Sequence, residues 1–201
     1  MRSYFFALLS AVVLFLLTGF IIPEGYEIGD TVKDFRLKNV DGKFVSLSDY
    51  KDVKGFIVIF DCNTCPYSKT YNSRIVALGK KFQGSYPVIA INSNDPGQSP
   101  GDSFEDNVRH SKENGYNFPY LFDETQQVAK AFGATNTPHV FILAKSGENL
   151  RVVYIGTIDD NARNPSSVKK KYVEAAIEEL ETGKAVSITR TRALGCTIKW
   201  K

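Results

Sequence analysis

The chain has 201 residues, with 25 Lys and Arg against 22 Asp and Glu, which gives a formal net charge of +3. Hydrophobic residues make up 43% of it, enough to bury a core, so global disorder is excluded. The charge lacks the basic excess of a dedicated nucleic-acid-binding protein, and no nucleic-acid partner is expected. With 2 histidines and 3 cysteines, a metal-rich scaffold and a disulfide-stapled miniprotein are also excluded.

An uncharged apolar segment runs from Tyr4 to Ile22, just after Arg2. As a helix it would be about 28 Å long, close to the hydrocarbon thickness of a bilayer. Residues 1–23 are therefore predicted to be either a cleaved signal peptide or a retained anchor, in which residues 4–22 tether the protein to the inner membrane. Either alternative places the rest of the chain outside the cytoplasm, in the periplasm or secreted.

The first predicted elements are β-strands. Residues 35–37 and 44–47 form a predicted hairpin whose turn spans 39–42. The continuous apolar run 55–60 is typical of a central strand covered on both faces, and residues 87–91 predict a second such strand. Between these two strands, apolar residues at helical spacing predict a helix: Tyr71, Ile75, Leu78 and Phe82.

Helices dominate the next part of the chain. Ser103 and Asp106 form a capping box that opens a short predicted helix. Asp123 is expected to cap a further helix, which Gly133 ends.

The last elements complete an alternating pattern of strands and helices. Residues 140–143 and 152–155 predict two strands, and Asn164-Pro165 is expected to start a final helix. This order predicts an α/β three-layer sandwich, with a central mixed sheet flanked by helices and an N-terminal β-hairpin extension. The predicted domain covers residues 26–184, and residues 185–201 form a basic tail that is expected to be solvated.

Cys62 and Cys65 form a C-x-x-C pair at a predicted strand-to-helix junction. A cysteine near a helix N-terminus has its thiolate stabilised by unpaired backbone N–H groups, so Cys62 is expected to be the attacking thiol. Cys65, one turn later on the same face, would resolve the mixed disulfide. An inert pair and half of a zinc site are the alternatives, but zinc needs two more ligands at matching spacing, and no metal site is predicted.

These features are similar, in type and order, to those of the thioredoxin superfamily in its redoxin branch, which contains alkyl hydroperoxide reductase/thiol-specific antioxidant and peroxiredoxin-like proteins. The segments that carry the resemblance are Asp34–Leu37, Phe60–Pro66, Ala90–Asp95, Phe118–Asp123, Val128–Gly133 and Thr137-Pro138. The resemblance implies a thioredoxin-like fold, in which a cis Pro138 faces the cysteines and Thr137 offers backbone groups to an extended substrate.

The chain also departs from the patterns of this superfamily. Asp61 stands where thioredoxins usually carry Trp, and a carboxylate beside Cys62 is expected to raise the pKa of that thiol. Residues 57–61 lack the Pro and Thr that precede the peroxidatic cysteine of peroxiredoxins. Efficient peroxidase activity is therefore not expected.

Cys196 and His139 are candidate accessory residues. Cys196 lies in the tail and is interpreted either as an extra exchange partner for Cys62 or as a free thiol that packs the tail. Because two thiols complete an exchange cycle, Cys196 is predicted to be dispensable for reduction of a generic disulfide. His139 follows Pro138, and it either titrates or ligates a metal near the site, or is an ordinary residue of the strand.

The sequence thus predicts a thiol–disulfide oxidoreductase that acts on protein disulfides outside the cytoplasm. Its partners would be protein thiols or disulfides and a membrane-side reductant. No cofactor is implied, since neither G-x-G-x-x-G nor G-x-x-x-x-G-K-[ST] occurs. One alternative is a Sco-like copper-binding metallochaperone using Cys62, Cys65 and His139, and another is a weak thiol peroxidase with an antioxidant role.

Overall fold

The computed structural model describes residues 25–201, so the predicted signal or anchor segment lies outside the described residues. The strands are β1 Arg36–Asn39, β2 Phe44–Ser46, β3 Gly55–Phe60, β4 Val88–Asn92, β5 Tyr120–Phe122, β6 Asn136–Thr137, β7 His139–Ser146, β8 Asn149–Gly156 and β9 Cys196–Thr197. The helices are α1 Pro66–Phe82, α2 Phe104–Glu113, α3 Gln127–Phe132 and α4 Tyr172–Glu181. Among residues 25–201, no helix combines the length and apolar character needed to span a bilayer.

Seven strands form one mixed sheet in the order β2-β1-β5-β4-β3-β7-β8. Strand β4 runs parallel to both β3 and β5, and the remaining pairs are antiparallel. Helices α1 and α4 pack on one face and α3 on the other. The predicted thioredoxin-like three-layer sandwich is therefore confirmed.

Strand β3 lies at the centre of the core because all six of its residues are buried. Ile57 and Ile59 face α1 and α4, whereas Val58 and Phe60 face α3, as alternation along a strand requires. The strand ends directly before the cysteine pair. The C-terminal edge of the parallel strands thus carries the candidate site.

Two local predictions are confirmed in detail. The N-terminal hairpin pairs β1 with β2, and Gly42 has the positive φ of 84° that its turn requires. The capping box also forms, with the Ser103 side chain accepting the N–H of Asp106 and the Asp106 side chain accepting the N–H of Ser103.

Two predicted helix starts are wrong. Pro165–Ser167 is only a 3-10 turn, capped by the Asn164 side chain, and α4 begins at Tyr172. Residue 126, not Asp123, occupies the cap position of α3, with a φ of 61°. Asp123 nevertheless serves that helix, because its carboxylate accepts the N–H of Ala129 at 2.9 Å.

The tail is packed against the domain through its backbone, contrary to the expectation of a solvated tail, whereas its basic side chains are exposed to solvent. Ile155 donates its N–H to Thr189 and accepts the N–H of Thr191, both at 3.0 Å. Further on, β9 pairs with β6, and Ile198 is buried in the core on the α3 side of the sheet. The backbone of the tail thus pairs with Ile155 of β8 and, further along, with β6. These two contacts hold the tail across the end of the sheet that carries the cysteines.

Candidate active site

Cys62 and Cys65 lie in the loop that joins β3 to α1. Helix α1 begins at Pro66, so Cys65 is its N-cap residue, and proline suits the first helical position because its missing N–H would have no helical partner. The helix N-terminus was predicted beside Cys62, but it lies at Cys65, so stabilisation of a thiolate by the helix applies to Cys65.

Thr137, the last residue of β6, contacts both sulfurs. Its hydroxyl lies 3.0 Å from Cys62 Sγ, and its carbonyl oxygen lies 3.2 Å from Cys65 Sγ. The Thr137-Pro138 peptide bond is cis. Both sulfurs are shielded from solvent, since Cys62 is 1% exposed and Cys65 is 2% exposed.

The two thiols differ in acidity. The pKa of Cys65 is lowered, first by a hydrogen bond with the Cys62 thiol and then by hydrogen bonds that include the N–H groups of Ser68 and Cys196. The pKa of Cys62 is raised by that same bond with Cys65, by burial and by the carboxylate of Asp61. Burial and the nearby Thr137 carbonyl disfavour a negative charge on Cys65. The hydrogen bonds that Cys65 Sγ accepts outweigh them, so Cys65 is favoured as the thiolate.

Cys196 adds a third sulfur to the site. Its Sγ lies 2.6 Å from Cys65 Sγ, and its N–H donates to the same sulfur at 3.4 Å. Burial, followed by the hydrogen bond with Cys65, raises the pKa of Cys196. Cys196 was expected either to exchange with Cys62 or to pack the tail as a free thiol, but the sulfur that it contacts is that of Cys65.

Asp61 is fully buried beneath the cysteine loop. Burial raises its pKa to about 6. The hydroxyl of Tyr116 donates to Oδ2 at 3.1 Å, whereas Oδ1 has no hydrogen-bond partner of good geometry in the described part of the chain. The expected direction of its effect on Cys62 agrees with the structure, because this carboxylate raises the pKa of that thiol.

His139 contacts Thr135 and Phe141 rather than the cysteine sulfurs. Its Nδ1 accepts the N–H of Thr135 at 3.3 Å, and its ring centroid is 4.7 Å from that of Phe141. Burial, with the charge of Arg190, lowers its pKa to about 4. Within residues 25–201 no group of three or more His, Cys, Asp or Glu side chains is arranged to hold a metal ion.

Sequence reasoning missed a buried carboxylate that holds the residues between the two cysteines. Asp102 is fully buried and accepts the N–H of Asn63 at 2.7 Å and the hydroxyl of Thr64 at 2.8 Å. It also accepts hydrogen bonds from the side chains of Asn92, Asn94 and Ser99. The polar composition of residues 92–102 predicts only a loop. The one sequence feature that could have drawn attention to Asp102 is its position directly before the capping box of α2.

Comparison with known proteins agrees with this fold. The model of the AhpC/TSA family matches residues 28–159. The chain belongs to the AhpC/TSA family. This assignment confirms the redoxin branch that the sequence resembles.

Several relatives extend the AhpC/TSA match over most of the chain. Thiol-disulfide oxidoreductase ResA of Geobacillus kaustophilus (strain HTA426) is 27% identical over 167 residues, which cover 81% of this chain and 90% of the relative. The structure of an uncharacterized conserved protein from Geobacillus kaustophilus is 38% identical, with a TM-score of 0.80 over 88% of this chain and 93% of the other. A hypothetical protein from Sinorhizobium meliloti 1021 is 34% identical, with a TM-score of 0.80 over 88% and 96%.

Proposed function

We propose that this AhpC/TSA protein is a thiol–disulfide oxidoreductase that acts on protein disulfides outside the cytoplasm through the Cys62–Cys65 pair. The observation that carries the proposal is the placement of both sulfurs directly before α1 and against Thr137, whose hydroxyl lies 3.0 Å from Cys62 Sγ and whose carbonyl oxygen lies 3.2 Å from Cys65 Sγ. A thiolate beside a protonated thiol is the arrangement that disulfide exchange needs. The ResA relatives, which are named thiol-disulfide oxidoreductases, support the same activity.

The exchange moves two electrons from the pair to the substrate. The reduced pair, one thiolate and one thiol, becomes one disulfide, while the two sulfurs of the substrate disulfide leave as thiols, one with the proton of the pair and the other with a proton from solvent. A dithiol reductant on the membrane side then returns the pair to its reduced form. The proposed roles of Thr137 and Pro138 are to align an extended backbone beside the two sulfurs.

The proposed location rests on the apolar segment Tyr4–Ile22 behind Arg2. A fusion of alkaline phosphatase after Lys201 tests it, because this enzyme becomes active only where its disulfides form. We expect an active phosphatase from the fusion and no fluorescence from a matched fusion to green fluorescent protein. Fluorescence with an inactive phosphatase would overturn the location without affecting the chemistry.

Turnover of insulin disulfides with dithiothreitol as reductant tests the activity of the full-length protein. We expect Cys65→Ser and the double variant Cys62→Ser/Cys65→Ser each to abolish reduction, because each removes the sulfur at the N-terminus of α1. Gly84→Ala is the matched control, since a Cβ at Gly84 meets open space. Insulin reduction by Cys62→Ser/Cys65→Ser at the wild-type rate would contradict the proposal, and faster oxidation by hydrogen peroxide than by a disulfide would favour the peroxidase alternative.

A further inference from the structure

The tail occupies the backbone edge that the proposed function assigns to substrate. Strand β9 pairs antiparallel with β6, and Cys196 is the partner of Thr137, the residue before the cis proline. Two neighbouring contacts fix this register. The side-chain amide of Asn136 donates to the carbonyl of Gly195 at 3.1 Å, and the N–H of Ile198 donates to the carbonyl of Thr135 at 3.0 Å.

The tail is held on both sides of Cys196. A Cβ on Gly195 would collide with the carbonyl group of Thr137, so only glycine permits this approach. Beyond Cys196, the carbonyl of Lys199 accepts the N–H of Asp95 and the side-chain amide of Gln126, both at 2.8 Å. A substrate strand could reach Thr137 only after these contacts were broken.

The three thiols differ in their exposure to solvent. Cys62 and Cys65 are 1% and 2% exposed, whereas Cys196 is half-buried and presents part of its surface to solvent. With the tail in place, an external disulfide therefore meets Cys196 before it meets either member of the pair. The 2.6 Å approach of Cys196 Sγ to Cys65 Sγ then places the next sulfur within reach.

We propose that Cys196 is the exchange thiol of this protein, so that external protein disulfides react at Cys196 and Cys65 then takes over the bond. The proposal rests on the proposed function and adds the route by which electrons leave the buried pair. It replaces the expectation that Cys196 is dispensable. The tail acts as a tethered strand that stands in for a substrate backbone at Thr137.

Each exchange step balances. The Cys196 thiol loses its proton to solvent, and its thiolate attacks an external disulfide, which forms a mixed disulfide and releases one substrate thiolate. The Cys65 thiolate then attacks Cys196 Sγ, which forms the Cys65–Cys196 disulfide and releases the second substrate thiolate, and solvent protonates both released thiolates. Cys62 then attacks Cys65 Sγ, which forms the Cys62–Cys65 disulfide, and its proton passes to the departing Cys196 thiolate.

Reduction of the Cys65–Cys196 disulfide by an external dithiol also depends on Cys65. When an external dithiol attacks the exposed sulfur of the Cys65–Cys196 disulfide, Cys65 is the leaving group. A leaving thiol of low pKa departs faster, and the hydrogen bond with the Cys62 thiol, followed by bonds that include the N–H of Ser68, lowers the pKa of Cys65. The second thiol of the reductant then closes its own disulfide and releases Cys196.

The test measures how fast the reduced full-length protein reduces 4,4′-dithiodipyridine, with acid quenching and peptide mapping of the disulfides. We expect the Cys65–Cys196 linkage to appear first in wild type. We also expect Cys196→Ser to react at least about tenfold more slowly, because the two remaining thiols are buried. Gly195→Ala keeps all three thiols but displaces the tail, so it should lower the yield of this linkage, whereas Gly84→Ala should match wild type.

Three outcomes would overturn the proposal: a Cys196→Ser rate within about twofold of wild type or above it, a first linkage between Cys62 and Cys65, or an unchanged linkage yield in Gly195→Ala. Oxidation by diamide, followed by the same mapping, tests the Cys65–Cys196 linkage without any substrate. If the wild-type protein formed the Cys65–Cys196 linkage but did not reduce insulin, this result would count against the proposed function alone. A Cys196→Ser protein that reduces insulin at full rate would count against the exchange thiol alone.

Discussion

Asp102 accepts the backbone N–H of Asn63 at 2.7 Å, across 39 positions of the chain. This bond fixes the residue that follows Cys62, and the bond from Thr64 to the other oxygen of Asp102 fixes the residue that precedes Cys65. The spacing of the two sulfurs is thus set by a carboxylate from a different loop. A buried polar group of this kind is costly to leave without its partners.

Replacement of Asp102 should therefore destabilise the fold. In Asp102→Ala the N–H of Asn63 and the side chain of Asn94 lose their buried acceptor. We expect a loss of about 3 kcal/mol, which lowers the melting temperature by roughly 6–12 °C in a chain of this size. Thermal unfolding followed by circular dichroism measures it, with the exposed Asp52→Ala as control; equal melting temperatures for the two variants would show that the network is not needed.

The carboxylate of Asp61 should hold the pKa of Cys62 high. Because Asp61 is fully buried, its charge acts on the thiol without screening by water. We expect Asp61→Asn to lower the pKa of Cys62 by about one unit. Thiolate absorbance against pH, in a background with Cys65→Ser and Cys196→Ser, reports Cys62 alone. Asp52→Asn is the control, and an unchanged or higher midpoint in Asp61→Asn would contradict the account.

His139 should make the fold sensitive to acid. Burial lowers its pKa to about 4 in the folded state, from 6.5 in the unfolded chain, so the folded state resists protonation. The contribution of His139 to stability is complete above pH 6.5 and is lost as the pH falls toward 4, by about 3 kcal/mol. Asp61 has the opposite sign, because its raised pKa makes the folded state bind protons more readily.

The comparison of wild type with His139→Gln isolates this contribution. The free energy of unfolding should fall more steeply in wild type than in the variant between pH 7 and pH 4, with a difference of about 3 kcal/mol. Chemical denaturation at each pH measures both slopes. Parallel curves would show that His139 is protonated equally in the two states.

Local signals in the sequence were sufficient for most of the fold. The apolar run of β3 and the capping box of α2 each depend on neighbouring residues, and both predictions are confirmed. The start of α4 could not be read in this way. Asn164 and Pro165 carry a strong start signal, yet they form only a 3-10 turn, and the helix begins after Lys171.

The candidate site depended more on contacts between distant residues. The C-x-x-C motif identified Cys62 and Cys65, but a difference of three residues in the helix start decides which of the two sulfurs lies at the N-terminus of α1. The pairing of Cys196 with Thr137 joins residues that are far apart in the chain. No local pattern encodes such a contact, because it arises from the packing of the tail along the site end of the sheet.

The central claim is that Cys65 is the sulfur through which electrons pass between Cys62 and Cys196. Its most direct test is the equilibrium of the full-length protein in glutathione buffers of graded redox poise, with acid quenching and mass-spectrometric assignment of every disulfide. The account predicts that each intramolecular disulfide contains Cys65, paired with Cys62 or with Cys196. A Cys62–Cys196 disulfide as the main oxidised form, or three thiols that remain reduced at oxidising poise, would contradict it.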